Sequence, residues 1–172
     1  MTTSIYFDRA PSPLGTLVLA TNGNALTGIW FDGQRYQPPI GFDWKRQQDS
    51  ALLQRARSLL TAYFAGHRPG FDVPVEPHGT PFQRAVWQAI ATVPYGETIA
   101  YRELARRVGR PHSVRAVGAA TGRNPLSIMI PCHRIVGADG SLTGYAGGLD
   151  RKRALLALES GTSASAAVRR AA

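Results

Sequence analysis

Short runs rich in apolar and aromatic residues, separated by turn signals, occupy the first part of the chain and are typical of β-strands. The runs lie at residues 4–7, 16–20 and 26–31. Asn22-Gly23-Asn24, between the last two runs, is a strong signal for a tight hairpin. We therefore predict an antiparallel meander over residues 4–31. Residues 32–45 contain two prolines and two glycines and have no clear period, which predicts a loop.

A helical period replaces these short runs after residue 48. Asp49 or Ser50 is the expected cap of a helix that ends at Gly66. The apolar residues of this helix share one face, at Leu52, Leu53, Ala56, Leu59, Leu60, Tyr63 and Phe64. We expect it to lie on the meander and form a small α/β core. That half shows no candidate chemistry, and we expect His67 and His78 to be exposed loop residues.

A second unit begins after a proline-containing segment. Residues 70–79, with a short predicted strand at Phe71-Asp72-Val73, are typical of a linker. Thr80-Pro81-Phe82-Gln83 is then a capping box with proline at the first helical position. The buried stripe of that helix is expected at Phe82, Ala85, Val86, Ala89, Ile90 and Val93. We accordingly divide the chain into an N-terminal domain at 1–76 and a C-terminal domain at 77–160.

Residues 98–123 have the pattern of a helix-turn-helix. A helix over 101–108 and another over 113–121 flank the turn Gly109-Arg110-Pro111. Gly118 gives the second helix a thin face, which either packs closely on another helix or enters a DNA groove. Six arginines and one acid lie from Arg102 to Arg123, which favours DNA.

The net charge of +9 is concentrated in this half of the chain. Residues 1–76 contain seven Lys/Arg and six Asp/Glu, whereas residues 97–153 contain ten against four. Charge alone is consistent both with a solvated basic face and with an electrostatic footprint for nucleic acid.

Cys132 is the only cysteine in 172 residues, and His133 follows it directly. One thiol can form neither an internal disulfide nor a multi-cysteine metal site, which leaves packing or chemistry. A lone cysteine is most often a small buried hydrophobe. Here the apolar run 126–130 predicts a strand that ends at Pro131, and a glycine-rich loop, 137–148, follows. This combination favours a reactive site in which His133 lowers the pKa of the thiol.

The end of the chain is predicted to contain a hairpin turn at 137–141 and a last helix from Leu149 or Asp150 to Glu159. Residues 161–172 are rich in Ser and Ala, which predicts a disordered tail. No apolar run approaches ~18 residues and no secretory signal is visible. The single cysteine fits a reducing compartment. We expect a cytoplasmic protein with no membrane partner.

A thiol, an adjacent imidazole, a distant carboxylate and a basic helix-turn-helix support a nucleophile that acts on something bound to DNA. These residues leave the product open. An alkyl group transferred to a thiolate gives a thioether, which water does not readily cleave. An acyl group gives a thioester, which water can cleave.

Ile130-Pro131-Cys132-His133-Arg134 resembles the signature of the methylated-DNA–protein-cysteine methyltransferases, also called O6-alkylguanine-DNA alkyltransferases. Further matching blocks follow in the same order, at Arg115-Ala116-Val117-Gly118, Asn124-Pro125, residues 142–149, Lys152 and Glu159. The first half matches more loosely, through Ser12-Pro13-Leu14-Gly15 and Ala62-Tyr63-Phe64. The resemblance implies a ribonuclease H-like α/β domain followed by a mainly helical, winged helix-turn-helix domain.

The resemblance also implies direct reversal of alkylation damage. Cys132 would take the alkyl group from O6 of guanine, or less well from O4 of thymine, and keep it, so that one molecule repairs one lesion. No cofactor would be needed. The partner would be double-stranded DNA containing O6-alkylguanine, from which the target base is flipped out. We expect a monomer and leave cooperative binding along DNA open.

Roles for individual residues follow from the same resemblance. Glu159, His133 and a water would form a relay that favours the Cys132 thiolate, and Asn124 would join the helix-turn-helix to the cysteine. Arg115, on a helix in the minor groove, would fill the space left by the flipped base. The lesion pocket would be formed by Tyr101, Ile135, Tyr145, Ala146 and Lys152. Without the resemblance, Glu159 would be an exposed helix-end acid and the two tyrosines ordinary core aromatics.

Two positions depart from the family pattern. Some members hold a structural zinc through cysteines and histidines of the N-terminal half, which has no cysteine here, so we predict no metal. Ala146 stands where some members carry Ser, which removes a hydroxyl donor.

Three other functional classes compete with the repair enzyme. A binding-only relative would lack the cysteine, and a thiol hydrolase would turn over repeatedly. A transcription regulator would not explain Cys132.

Overall fold

The computed structural model describes residues 4–161 and begins with a four-stranded sheet in the order β3-β2-β1-β4. The strands are β1 (Ile5–Ala10), β2 (Leu17–Thr21), β3 (Leu26–Phe31) and β4 (Trp44–Arg46). The first three pair antiparallel, as predicted. The predicted loop at 32–45 was wrong at its end, because β4 pairs parallel to β1 and makes the sheet mixed. Trp44 is held there by ring contacts with Phe7 (5.9 Å between centroids) and Trp30 (6.2 Å).

Both faces of β2 are covered, which accounts for its unbroken apolar sequence. Leu17 and Leu19 face the main core, whereas Val18 and Ala20 face a small cluster on the opposite side of the sheet. α1 (Ala51–Phe64) contributes to the main core, and the Ser50 hydroxyl caps it by accepting from the backbone of Leu53. The predicted α/β unit is therefore present.

The segment after α1 returns along the edge of β3. The strand predicted at Phe71-Asp72-Val73 was wrong, since none of these residues pairs. Instead, the Leu26 N–H donates to the Pro74 carbonyl (2.9 Å) and the Leu26 carbonyl accepts from Glu76 (2.8 Å). Because Pro74 lacks an N–H, pairing there is limited to a single bridge. The two histidines predicted to be exposed, His67 and His78, are exposed.

Helices dominate the C-terminal half. They are α2 (Pro81–Ala91), α3 (Tyr101–Arg107), α4 (Val114–Gly122) and α5 (Leu149–Glu159). α2 begins at the predicted capping box, and α3 and α4 are the predicted helix-turn-helix pair. The predicted stripe of α2 was wrong at Ala85, which is exposed. Trp87 is buried instead, because its indole N–H reaches the Ala120 carbonyl of α4 at 2.8 Å.

The apolar run before the cysteine is not a strand, so that prediction was wrong. Ile128 has a left-handed φ of 74°, and the Ile130 N–H donates back to the Leu126 carbonyl at 2.9 Å. The run thus folds into a compact buried turn. Pro131 then leads into a short 3-10 helix at Cys132–Arg134, which carries the thiol.

The chain after the 3-10 helix forms a minimal parallel pair, β6 (Ile135–Val136) with β5 (Ile99–Ala100). The turn at 137–141 is closed by a hydrogen bond from the Gly137 N–H to the Ser141 carbonyl (2.9 Å). It is not the predicted hairpin, because β6 pairs with β5 and not with the segment that follows the turn.

One hydrophobic cluster extends from the sheet and α1 to α5. β3 also exchanges backbone hydrogen bonds with the C-terminal half, since Ile29 pairs with Pro125 and Ser127. The division at residue 76 stays a prediction. Residues 162–172, most of the predicted tail, lie outside the described residues. Across residues 4–161, no helix has the length and apolar character to span a membrane.

Candidate active site

Asn124 joins the end of α4 to the cysteine. Its side-chain amide donates to the Ile130 carbonyl at 2.7 Å and to Cys132 Sγ at 3.2 Å. Its oxygen accepts from the Leu126 N–H at 2.9 Å. These bonds hold the 126–130 turn against the helix-turn-helix, so the thiol has a fixed position relative to α4.

The environment of Cys132 keeps the resting thiol protonated. Burial raises the pKa of Cys132, and this effect outweighs the Asn124 hydrogen bond and the positive charge of Lys152, which both favour the thiolate. The role of His133 in favouring the thiolate stays a prediction. A thiolate therefore requires a group that accepts the proton.

His133 is a suitable proton acceptor. The ring is fully buried, and its Nε2 lies 2.7 Å from Glu159 Oε1. Burial lowers the pKa of His133 even though Glu159 acts in the opposite direction, so the imidazole is neutral at pH 7. With Nε2–H donated to the carboxylate, Nδ1 carries the lone pair. Nδ1 is buried and has no hydrogen-bond partner within residues 4–161.

Glu159, at the end of α5, is an anion surrounded by donors. Arg134 donates to both carboxylate oxygens, at 2.8 and 2.9 Å, and the Tyr63 hydroxyl donates to Oε1 at 2.7 Å. The Gly96 N–H approaches Oε2 at 3.3 Å. Burial alone would raise the pKa of Glu159, but the hydrogen bonds from His133 and Arg134 outweigh it and hold the pKa below its usual range. A charged carboxylate is thus fixed beside the imidazole.

Sequence reasoning missed two members of this cluster. Tyr63 is on α1, in the half where we expected no chemistry, and Arg134 follows His133 directly. Both occur in blocks that carry the family resemblance, but no local pattern assigned them a role. Tyr63 and Glu159 are 96 positions apart in the chain, so only the tertiary fold reveals their contact.

An open cleft of about 190 Å³ reaches Cys132. Three predicted pocket residues, Tyr101, Tyr145 and Ala146, line it together with Gly118 of α4. A Cβ on Gly118 would lie 3.9 Å from the Tyr101 ring, an ordinary van der Waals contact, so the space at this wall does not by itself require glycine. The N-terminal half also contributes to the lining, through Arg35 and Tyr36, which sequence reasoning had not assigned to a site.

Tyr101 lines the cleft, and Lys152 lies near the Tyr101 ring without lining the cleft itself. Burial raises the pKa of Tyr101 to about 12, so the phenol remains a donor, and its hydroxyl lies 3.2 Å from the Thr143 carbonyl. Lys152 is buried, and its Nζ donates to the carbonyls of Ile135 and Thr143. Burial lowers the pKa of Lys152 to about 8. The ammonium lies 5.8 Å from the centroid of the Tyr101 ring.

Three predicted substrate-binding residues, Arg115, Ile135 and Lys152, are not part of the cleft wall. Ile135 is buried, and its carbonyl accepts the hydrogen bond from Lys152. Arg115 lies on the exposed side of α4 and faces solvent. Tyr145 does line the cleft, and its buried hydroxyl has no hydrogen-bond partner within the described part of the chain.

Family models cover both halves of the chain. The DNA binding domain of 6-O-methylguanine DNA methyltransferase matches residues 81–161, and the ribonuclease-like domain of the same family matches residues 5–77. The methylated-DNA–protein-cysteine methyltransferase of Haemophilus influenzae is 45% identical over 158 residues, which cover 91% of this chain and 87% of that protein. The protein of the same name from Mycobacterium bovis is 47% identical over 155 residues, with coverages of 90% and 92%.

Solved structures resemble the whole fold. Mycobacterium tuberculosis OGT in complex with DNA aligns with a TM-score of 0.87 and 42% identity, covering 96% of this chain and 99% of that one. The O6-methylguanine methyltransferase of the same organism aligns with a TM-score of 0.84 and 44% identity, with coverages of 94% and 96%. On these similarities, this chain belongs to the 6-O-methylguanine DNA methyltransferase family.

Proposed function

We propose that this protein repairs O6-alkylguanine in double-stranded DNA by transferring the alkyl group irreversibly to Cys132. One observation carries the proposal: the single thiol lines an open cleft and is backed by the buried His133–Glu159 pair. The relatives are named for a protein cysteine that accepts a methyl group from DNA. Because a thioether resists hydrolysis, each molecule acts once.

The proton and electron movements balance with the residues present. The Cys132 proton passes through a bridging water to Nδ1 of His133, and the charge of Glu159 stabilises the imidazolium that results. Sγ then forms a bond to the alkyl carbon while the carbon–O6 bond breaks. The electron pair stays on the guanine, whose growing negative charge is met by a proton donated from Tyr101 to N3.

The pocket residues recognise the base. The backbone carbonyls of Cys132 and Ile135 accept from the exocyclic amine, and a carbonyl that already accepts from Lys152 retains a second lone pair for this purpose. Tyr145 and the backbone of Ala146 line the other side. Lys152 supports Tyr101 electrostatically, because a nearby cation favours the phenolate that forms when the proton leaves.

The target atom lies inside the duplex, so the base has to leave the stack before it can react. α4 enters the minor groove, and Arg115, which faces solvent on this helix, fills the vacated space. The minor groove carries little sequence information, which suits an enzyme that repairs lesions in any context. O4-alkylthymine is a second, slower substrate.

Intact-mass measurement tests the chemistry. Mixing the protein with excess duplex that contains O6-methylguanine should add one methyl group per chain and then stop, and unmodified duplex should add none. Turnover beyond one equivalent would indicate a thiol hydrolase instead. DNA binding with no mass change would indicate a binding-only sensor, although such relatives lack the cysteine that is present here.

A further inference from the structure

Two arginines flank one exposed tyrosine, Tyr36, which lines the cleft together with Arg35. The Cζ atom of Arg35 lies 4.8 Å from the centroid of the Tyr36 ring, and that of Arg123 lies 4.3 Å from it. Arg35 belongs to the loop after β3, and Arg123 is the C-cap of α4. Neither guanidinium has a carboxylate partner in the described range 4–161. Two uncompensated positive charges are therefore held close together, Arg35 in the wall of the cleft and Arg123 in an adjoining groove that Tyr36 also lines.

The loop that carries Tyr36 is fixed in place. Tyr36 has a φ of 66°, which is unusual for a large side chain and points to a functional position. The Arg35 N–H donates to the carbonyl of Ala146, a pocket residue, at 3.1 Å. Ser127 donates to the buried side chain of Gln34 at 3.2 Å. The tyrosine thus forms a preorganised spacer between the two arginines.

We propose that Arg35, Tyr36 and Arg123, here called the arginine clasp, bind backbone phosphates of the strand that carries the lesion. This proposal rests on the proposed function. When the base enters the cleft, the phosphates of its own strand lie at the mouth, where the clasp is. Guanidinium groups match phosphate oxygens in charge and geometry. The N-terminal half would then contact DNA directly, next to the helix-turn-helix.

The test compares two arginines that have the same local geometry. Arg68 lies 4.8 Å from the Tyr95 ring centroid, as Arg35 does from Tyr36, but Arg68 lines neither the cleft nor the adjoining groove that contains Arg123. Affinity for an unmodified duplex is measured by fluorescence anisotropy across a salt series. Arg35→Ala and Arg123→Ala should each bind severalfold more weakly and lower the salt slope by about 0.9, as expected for one phosphate contact. Arg68→Ala should match the wild type.

The ring itself is tested separately. Tyr36→Phe keeps the aromatic spacer and should bind like the wild type, whereas Tyr36→Gly tolerates the positive φ but loses the spacer and should bind more weakly. An unchanged slope in Arg35→Ala, or an equal loss in Arg68→Ala, would overturn the clasp. Methyl transfer to Cys132 is measured on the same samples, because its absence in the wild type would instead refute the proposed function.

The N-terminal half supplies a tyrosine, Tyr63, to the carboxylate of Glu159. The Tyr63 hydroxyl is 2.7 Å from Glu159 Oε1 and 3.5 Å from His133 Nε2. Burial, followed by the charge of Glu159, raises the pKa of Tyr63, so the hydroxyl is always a donor. Its ring is packed edge-on against Phe64 and Tyr95. This packing fixes the orientation of the ring, so the Tyr63 hydroxyl is held towards Glu159.

We infer that Tyr63 is a positioning residue that controls the proton affinity of His133 through Glu159, again resting on the proposed function. Oε1 accepts from Tyr63, His133 and Arg134, so these donors share its negative charge. Removal of one donor leaves more charge for the imidazole and raises its pKa. The titratable or charged groups around the pair are Cys132, Arg134, Lys152, Tyr63, Tyr95 and Tyr145.

Single-turnover rates with free O6-alkylguanine, measured against pH, test this role without a contribution from DNA binding. The rate falls at acid pH as His133 becomes protonated and can no longer accept the thiol proton. Tyr63→Phe should move this acid limb to higher pH, so that the loss is severalfold near pH 6 and small near pH 8. Tyr95→Phe removes a neighbouring hydroxyl that makes no hydrogen bond to Glu159 and should not move the limb.

A double variant separates positioning from general destabilisation. In a Glu159→Gln background the carboxylate is already absent, so Tyr63→Phe should produce no further shift. An additive shift there, or an acid limb that stays in place in Tyr63→Phe, would overturn the inference. If Tyr63→Phe fails to fold, 3-fluorotyrosine at position 63 keeps the ring and strengthens the donor, and it should move the limb to lower pH.

Discussion

The charged groups on the two sides of Cys132 are arranged in opposite ways. Behind the thiol, His133 and Glu159 are buried, and both oxygens of the carboxylate accept hydrogen bonds. In front of it, Arg35 lines the cleft and Arg123 lies on the other side of Tyr36, and neither exposed guanidinium has an acidic partner within residues 4–161. The first arrangement compensates charge inside the protein, and the second leaves charge for a partner.

The physical reason lies in the cost of burial. A buried charge has to be paired and hydrogen-bonded, because desolvation costs several kcal/mol per ion. An exposed charge costs little and gains little from a neighbouring acid. Variants behind the thiol should therefore affect both chemistry and stability, whereas variants in front of it should affect only the encounter with DNA.

The largest effect is expected at the boundary between the two sides. Cys132→Ser should abolish alkyl transfer, because a serine hydroxyl in this site cannot be ionised by a neutral imidazole to the same extent as a thiol. DNA binding should be retained, since the cysteine is not on the exposed face of α4. Intact mass and anisotropy on the same sample measure the two properties. Loss of binding together with transfer would mean that the cysteine holds the helix-turn-helix in place.

The next largest effect should come from Glu159→Gln. His133 loses the carboxylate that stabilises its protonated form, so the rate of transfer should fall on duplex and free base alike, by up to about 10²–10⁴-fold, the range for general-base catalysis. Arg134 is left buried and unpaired, so the free energy of unfolding should also drop by about 3 kcal/mol.

A matched exposed carboxylate provides the control for this variant. Glu103 also accepts hydrogen bonds from two arginines, Arg106 and Arg107, and these bonds lower its pKa to about 2, but the group is open to solvent. Glu103→Gln should leave the rate and the urea midpoint unchanged. A loss of stability equal to that of Glu159→Gln would remove the distinction between buried and exposed pairs.

The pH dependence of the free energy of unfolding should also reflect the buried pair Glu159 and His133. Folding lowers the pKa of Glu159, so its stabilising contribution is complete above the unfolded value of about 4.3 and is lost as pH falls below it. Folding also lowers the pKa of His133, so its contribution begins to fade below about 6.5. Wild-type stability should decline in both windows, by about 2–3 kcal/mol for the lower one. In Glu159→Gln only the upper decline should remain, and a persistent lower decline would assign it to other carboxylates.

The sequence predicted the elements whose cause is local. Thr80 and Gln83 form a capping box from residues three apart, and the α1 stripe needs only its own period. β4 was missed because three residues carry too little pattern, and Trp44 is placed by contacts with β1 and β3. The 126–130 run was correctly expected to be apolar and buried, but its turn depends on Asn124 and on a left-handed Ile128, which composition does not reveal.

The residues of the site fall into the same two groups, those with a local signal in the sequence and those placed by the tertiary fold. Adjacent residues, Cys132 and His133, could be suspected from the sequence itself, whereas Glu159 was assigned only through the family resemblance. Tyr63 could not be identified from the sequence because its contact with Glu159 joins residues that are 96 positions apart. The roles of these residues remain predictions that the variants above test.

The smallest effect, and the most selective, is expected for Arg115 on the exposed face of α4. If Arg115 only contacts a phosphate, Arg115→Ala should weaken binding to every duplex and lower the salt slope by about one. If it occupies the gap left by a flipped base, the loss should fall on extrusion of the base. Unstacking costs a few kcal/mol, so loss of the compensating contact should slow duplex repair by well over tenfold.

The free base decides between these roles. O6-alkylguanine that is not in DNA needs no extrusion, so Arg115→Ala should react with it at nearly the wild-type rate, whereas Glu159→Gln should be slow with both substrates. A pair of single-turnover rate constants for each variant therefore places a residue on one side of the thiol or the other. Equal losses on duplex and free base would mean that Arg115 supports the fold or the pocket. Arg115 would then act in the same way as the buried pair His133 and Glu159. The difference between the buried side and the DNA-facing side of the thiol would not include α4.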